Sequence, residues 1–265
     1  MIRFPLLFTV ISSSAAFQNL LPKLEFPSFG SGLASNGKAA SIALEDQLLS
    51  AIGASSDERL SDSDGIASII TRLEESGISI PQPAIAPEVY GKWRLLHTNN
   101  ASTASPIQRK AVDSTKYNIY QNIEENDEGT LIVSQVVKFG DNVELQVDAL
   151  ASTQAYPLAE LTERKGDGKI LGLNLLGVSL VGEEAEPDPE RPNSRVDFVF
   201  DEGNFIFNGV KKIPYPVPFR LPFFRDLVKG WIDITYLSPR LRIARGNKGT
   251  TFVLLKETDE EERSY

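Results

Sequence analysis

Two hydrophobic spacings divide this chain, and the change from one to the other falls near Gly91. From Ser41, the apolar residues Ile42, Leu44, Leu48, Leu49 and Ile52 fall mostly on one helical face, and Gly53 ends the pattern. A second helix is expected to begin near Ser61 or Ser63, with acidic residues in a first turn that suits the helix dipole. Its apolar positions are Ile66, Ile69, Ile70 and Leu73, and Gly77 lies just past its end. Pro81, Pro83 and Pro87 then predict an extended connector that is not helix.

Beyond Gly91 the period is two. Tyr117, Ile119 and Ile123 alternate with Asn118, Tyr120 and Asn122, and Leu131, Val133, Val137 and Phe139 share a face of the next run. Val143, Leu145, Val147 and Ala149 alternate with polar neighbours throughout, and Val196, Phe198 and Phe200 do so later. Turn residues separate the runs at Asp127-Glu128-Gly129, Gly140-Asp141, Gly166-Asp167-Gly168 and Glu202-Gly203-Asn204. Connections mostly too short for crossover helices imply an antiparallel meander, and many such strands close on themselves to remove their edges. The expected fold is mainly β: a lipocalin-like up-and-down antiparallel β-barrel preceded by a short two-helix segment. Gly91-Lys92-Trp93 at the first strand fits it, since a Gly-x-Trp there is a lipocalin-like mark whose indole plugs the closed end.

Composition narrows the classes of function. The 265 residues are 41% hydrophobic with a net charge of −9, and an acidic chain is repelled by phosphate backbones, which argues against a nucleic-acid partner. The absence of cysteine excludes disulfides, thiolate catalysis and Cys-zinc sites. No apolar run reaches the ~18 residues that a membrane-spanning helix needs. At the start, Arg3, the apolar stretch Phe4 to Ile11 and the small residues Ser12 to Ala16 have the layout of a signal peptide cleaved between Ala16 and Phe17. Residues 17–40, rich in Ser, Gly and Ala, are expected to be a disordered leader segment.

Catalytic sets are missing. His97 is the single histidine; Ser102 and Ser105 are near it in sequence, which is no ground for a triad, and a surface or hydrogen-bonded role is expected. There is no Gly-x-Ser-x-Gly elbow, and neither a His pair nor a calcium-loop spacing, so no metal or cofactor is expected. Leu171 stands where a dinucleotide fingerprint beginning at Gly166 needs its third Gly, and Gly246 to Gly249 reads as a hairpin turn.

Two segments suggest contact with something apolar. Lys169 to Val181 is an apolar strand whose Gly172 and Gly177 mark a bulge, a close approach or simple curvature. Lys211 to Phe224 has prolines at 214, 216, 218 and 222 beside Tyr215, Phe219, Phe223 and Phe224, so its aromatics belong to a loop or edge. With Lys211, Lys212, Arg220 and Arg225 alongside, those rings suit a membrane interface; a packed lid over one barrel end is the alternative.

Near the C-terminus stand Thr235-Tyr236-Leu237, Leu241-Arg242-Ile243, Arg245-Gly246 and Phe252-Val253-Leu254. Together with Leu95-Leu96 and Ser105-Pro106-Ile107-Gln108-Arg109, these resemble the pattern of the plastid lipid-associated proteins, or PAP/fibrillins. Ser238 departs from it, because family members often carry an acidic residue there. The resemblance covers about residues 41–257 and divides the chain into a signal peptide (1–16), a transit-like segment (17–40), a helical preface (41–80), the β-barrel domain (88–257) and an acidic tail (258–265). It implies that the first sixteen residues and the stretch after Phe17 form a bipartite plastid leader. It also implies a non-enzymatic role: binding or presenting a fatty acid, prenylquinone or carotenoid at thylakoid or plastoglobule surfaces. A scaffold for a prenyl-lipid biosynthetic enzyme is the alternative. Asp233, Tyr236, Arg242 and Arg245 are the ligand-facing polar groups it points to. Trp231, Asp233 and Thr235 share one face, and alternation leaves open which face is interior. An interior Asp233 would need a partner such as Arg242. That Arg then either fixes strand register in a salt bridge or meets a lipid carboxylate or diphosphate.

Overall fold

Helix α1 spans Ser31–Ile52 and helix α2 spans Asp64–Glu75 in the computed structural model, which describes residues 31–54, 64–99, 113–158, 161, 185–215, 220–221, 225, 228–247 and 249–258. α1 begins at Ser31 rather than Ser41, so residues 31–40, expected to be disordered, are helical. Ala34, Ala39 and Ala40 are strong helix formers, and extending a helix already nucleated at its packed end costs little. Gly53 and Gly77 lie just beyond the two helices at φ of 72° and 68°, the left-handed conformation that closes a helix and suits a residue without Cβ. The proline connector is not purely extended. Pro83–Ile85 and Pro87–Val89 each form a single 3-10 turn, with proline at a first position where its missing N–H forfeits no bond.

Among the described residues nine strands follow: β1 Gly91–Asn99, β2 Asn118–Glu125, β3 Leu131–Lys138, β4 Val143–Ser152, β5 Arg195–Phe207, β6 Lys211–Pro214, β7 Lys229–Leu237, β8 Leu241–Gly246 and β9 Thr251–Lys256. Every pairing is antiparallel, as the short connections predict. β4 pairs with β5 and β9 returns to β1, so eight of the strands form a closed ring, while β6 is added to the distal half of β5. Gly246 and Gly249 belong to the β8–β9 hairpin turn, as expected; the Gly249 N–H donates to the Gly246 carbonyl. The expected turn at Glu202-Gly203-Asn204 is instead the interior of β5. The register against β4 shifts between Asp148 and Ala149, so the glycine relieves a bulge and the strand runs on.

Alternation sorts the side chains into two cores. Trp93, Leu95, Ile119, Ile123, Leu131, Val137, Ala151, Val196, Ile234 and Leu254 fill the inside of the ring. Beside Gly230 the packing is close: a Cβ there would come within 2.7 Å of the Phe198 ring. The second core lies outside the ring, where Leu48 and Ile52 of α1 and Ile66, Ile70 and Leu73 of α2 cover Leu96, Tyr236, Leu241, Ile243 and Val253. The helical preface is thus the outer wall of the β7–β8–β9–β1 quadrant.

The two ends of the ring differ. At one, Trp93 is fully buried and its indole N–H donates to the Val89 carbonyl of the second 3-10 turn at 2.8 Å, so those turns floor the ring. The opposite end carries the β3–β4 and β5–β6 turns, tied together by the Asn208 N–H donating to the Asn142 carbonyl at 2.8 Å. There Phe139, Val210 and Ile213 are exposed beside Lys138, Lys211 and Lys212.

Candidate functional site

Arg242 is the interior's outlying residue. It follows Leu241 and precedes Ile243, both turned to the helices, so alternation aims it into the ring, and it is 0% exposed. Its guanidinium carbon lies 4.9 Å from the centre of the Trp93 ring, and Nη2 donates to the Gln121 side-chain oxygen of β2 at 2.5 Å. Nε and Nη1 have no hydrogen-bond partner among the described residues. Burial with no opposing charge pushes the guanidinium down to about 9, still above physiological pH, so the group stays a cation. Lys256 approaches the same indole at 5.3 Å and donates to the Glu88 carbonyl at 2.9 Å; burial lowers its ammonium, the neighbouring Arg242 adds to that, and Glu88 opposes it. Two cations therefore meet Trp93 at the floor, and the apolar Val133, Leu145, Phe198, Ile232 and Phe252 pack against the same core.

The other three residues marked by the sequence lie outside the ring. Asp233 is opposite Arg195 of β5 in the register and takes a two-pronged bond from its Nε and Nη2, at 2.7 and 2.8 Å. Arg195 also stacks 3.9 Å from the Trp231 ring centre. The partner of Asp233 is thus Arg195 and not Arg242, a salt bridge that fixes the β5–β7 register on the outer face. Arg245 donates to both carboxylate oxygens of Glu74 on α2 at 2.9 and 2.6 Å, and the Thr235 hydroxyl donates to the same carboxylate at 2.6 Å. Tyr236 is buried in the helix-covered core, and its hydroxyl donates to Glu45 of α1 at 2.7 Å. Burial, and then that carboxylate, raises the phenol well above its ordinary range. Of the four, only Arg242 faces the interior.

Tyr215 follows β6, and its ring lies 5.7 Å from Phe205 of β5. Phe219, Phe223 and Phe224 lie outside the described residues, as do residues 1–30 of the leader, residues 169–181, Ser102 and Ser105. Near Tyr215 in the chain, Arg220 and Arg225 both converge on Asp201, beside the β5 bulge, at 2.6 and 2.8 Å. The Arg220 bond, aided by Arg225 and opposed by burial, holds the Asp201 carboxyl below its ordinary 3.8. Such a group contributes stability that is complete above 3.8 and is lost as pH falls toward its folded value. Replacing Asp201 by Asn should lower stability by about 1 kcal/mol at pH 7, because Arg220 is largely exposed. It should also flatten the fall of Tm below pH 4, read by thermal melts across an acid series.

His97 is buried at 3% exposure and pairs with Val253 on the helix-covered side, away from Arg242. Among the described residues, no cluster of His, Asp and Glu is arranged to hold a metal, and no helix is long and apolar enough to cross a membrane. The PAP_fibrillin family model matches residues 43–255, from the second half of α1 through α2 and the ring to Leu255 of β9. The chain belongs to the PAP/fibrillin family. Arabidopsis thaliana probable plastid-lipid-associated protein 12, chloroplastic, is 36% identical over 226 residues, covering 83% of this chain and 45% of that protein. The chromoplast-specific carotenoid-associated protein of Cucumis sativus is 29% identical over 213 residues, covering 72% of this chain and 60% of its own length. The light-induced protein, chloroplastic, of Solanum tuberosum is 25% identical over 202 residues, with 72% and 59% covered. This fibrillin accordingly spans about half of the first relative and three fifths of the others. Like them, it is a plastid protein.

Several residues that shape the fibrillin's site carried no signal in the sequence. Gln121 and Lys256 read as ordinary polar positions in alternating strands, and Glu45 and Glu74 as solvated helix residues. Yet Glu45 is 2% exposed and receives both Tyr236 and Arg240, while Arg240 also reaches Asp46 at 2.7 Å. One hint was available: Glu45 and Glu74 sit beside the apolar stripes of their helices, where a carboxylate is retained only with a partner.

Proposed function

We propose that this fibrillin holds or presents one lipophilic molecule at a plastid membrane or plastoglobule surface and performs no chemistry on it. The eight-stranded ring is, in this reading, an up-and-down barrel of the lipocalin kind, with a floor at Trp93 and a mouth at the β3–β4 and β5–β6 turns. The observation that carries it is the closed antiparallel ring with an apolar interior, a size class that accommodates one small ligand. The names of the relatives, lipid-associated and carotenoid-associated, support a lipophilic ligand, and in this reading it is a fatty acid, a prenylquinone or a carotenoid. Protein recovered from plastids should release such a molecule on solvent extraction and show its mass by native mass spectrometry. Repeated recovery without lipid, together with no binding to vesicles of plastid lipids, would contradict the proposal.

The exposed Phe139, Val210 and Ile213, with Lys138, Lys211 and Lys212 around them, support membrane contact at the mouth. Tyr215, which follows β6, is a further candidate contact in this reading, and Phe219, Phe223 and Phe224 stay candidates on the sequence alone. Converting Phe139 and Val210 together to Glu should weaken partitioning onto anionic plastid-lipid vesicles about tenfold, since two apolar contacts are lost and two repelled charges gained. Thermal melts should fall only slightly, because Val210 is exposed and Phe139 gives up just one edge contact, with the Tyr117 ring. Sedimentation with vesicles reads the effect, and undiminished partitioning would place the contact elsewhere.

A further inference from the structure

We infer that Arg242 is a head-group site, so that this fibrillin selects amphiphiles with an acidic head, a carboxylate or a phosphate, over neutral lipids of the same chain length. The inference rests on the lipid-binding reading above and deepens it. Its ground is an imbalance inside the ring. A guanidinium carries five N–H donors, and in Arg242 only Nη2 is engaged, by the neutral amide of Gln121. The N–H groups on Nε and Nη1 are buried without partners among the described residues. Three other arginines of β5 and the β7–β8 hairpin differ: Arg195 has Asp233, Arg240 has Glu45 and Asp46, and Arg245 has Glu74. Arg242 alone of these has no carboxylate among the described residues, though it is the most buried.

A buried cation with idle donors is costly unless something anionic completes it. Two features orient the missing partner. Trp93 covers one face of the guanidinium, and Lys256, which meets the same indole, adds a second positive charge to the floor. Around the floor, the interior residues Val133, Leu145, Phe198, Ile232 and Phe252 are apolar. A cationic floor under apolar walls matches a molecule with one acidic end and a long hydrocarbon remainder. A carotenoid or a quinone would leave the arginine as it is.

The test compares oleate, methyl oleate, oleyl phosphate and acetate on the intact protein by calorimetric titration. Oleate is expected to bind at least about tenfold more tightly than methyl oleate, the scale of a charge-assisted hydrogen bond, with acetate too weak to register. Oleyl phosphate against oleate identifies which acidic head the site prefers; either order is expected, provided both exceed the ester. The Arg242→Met protein should lose that discrimination. In the absence of ligand it should melt no lower than the unaltered protein, because it replaces an unpaired buried charge by an apolar chain of similar length. Should Arg242→Met fail to fold, the oleate-to-ester ratio of the unaltered protein still decides. Equal binding of oleate and methyl oleate overturns the head-group site and leaves lipid binding standing. Binding of none of the long-chain probes overturns both.

Discussion

Trp93→Ala is expected to be the most damaging single substitution in the chain, costing about 4 kcal/mol and lowering Tm by about 10 °C. The indole is 0% exposed, so its removal opens a large cavity at the floor of the ring. It also strands the Val89 carbonyl, which now accepts the indole N–H, and removes the aromatic surface shared by Arg242 and Lys256. Losing that surface leaves a buried guanidinium with only Gln121 for company. Urea unfolding at pH 7 measures the loss. Trp231→Ala is the internal control: that indole lies on the outer face against Arg195, and its truncation should cost about 1 kcal/mol. Equal losses at the two positions would mean that the ring has no distinct interior.

The second large effect is expected at Glu45, a residue of the helical preface. Glu45→Ala should cost about 3 kcal/mol, because it removes the buried carboxylate that receives the Tyr236 hydroxyl and leaves Arg240 with Asp46 as its remaining carboxylate. Glu45→Gln keeps an acceptor for Tyr236 and should restore about half of the loss. The readout is hydrogen exchange along α1 and α2 as well as global unfolding. Faster exchange confined to the helices would show that Glu45 fastens the preface to β7 and β8. No change there would show that the apolar contacts of Leu48, Ile52, Ile66 and Leu73 hold the helices unaided.

That result would bear on what the sequence conveys. Periodicity located the two helices, most strands and their antiparallel order, because each element has one apolar side and a repeat of fixed length. It did not reveal which side of β7 is the inside. Both sides carry large apolar groups: Ile232 and Ile234 point into the ring, while Trp231 and Tyr236 point out. A register shift between Ile234 and Tyr236 then breaks the alternation, so parity counted from Asp233 gives no answer beyond Thr235. A similar shift between Leu95 and His97 hides the burial of His97. The pairing of Asp233 with Arg195 joins residues 38 positions apart, and no local pattern records it. Arg242 was a candidate through the family resemblance, but its lack of a carboxylate among the described residues depends on the whole ring and is visible only once the ring is closed.

In the proposed function a lipophilic molecule sits inside the ring, against Trp93. The chain has two tryptophans, one facing the interior and one the exterior, so each can be watched alone. Fluorescence of the Trp231→Phe protein, which retains Trp93, should be quenched to a plateau on titration with a bromine-labelled fatty acid. The Trp93→Phe protein, which retains Trp231, should keep its emission. Quenching of Trp231 with Trp93 left bright would place the lipid on the outer surface and contradict the account.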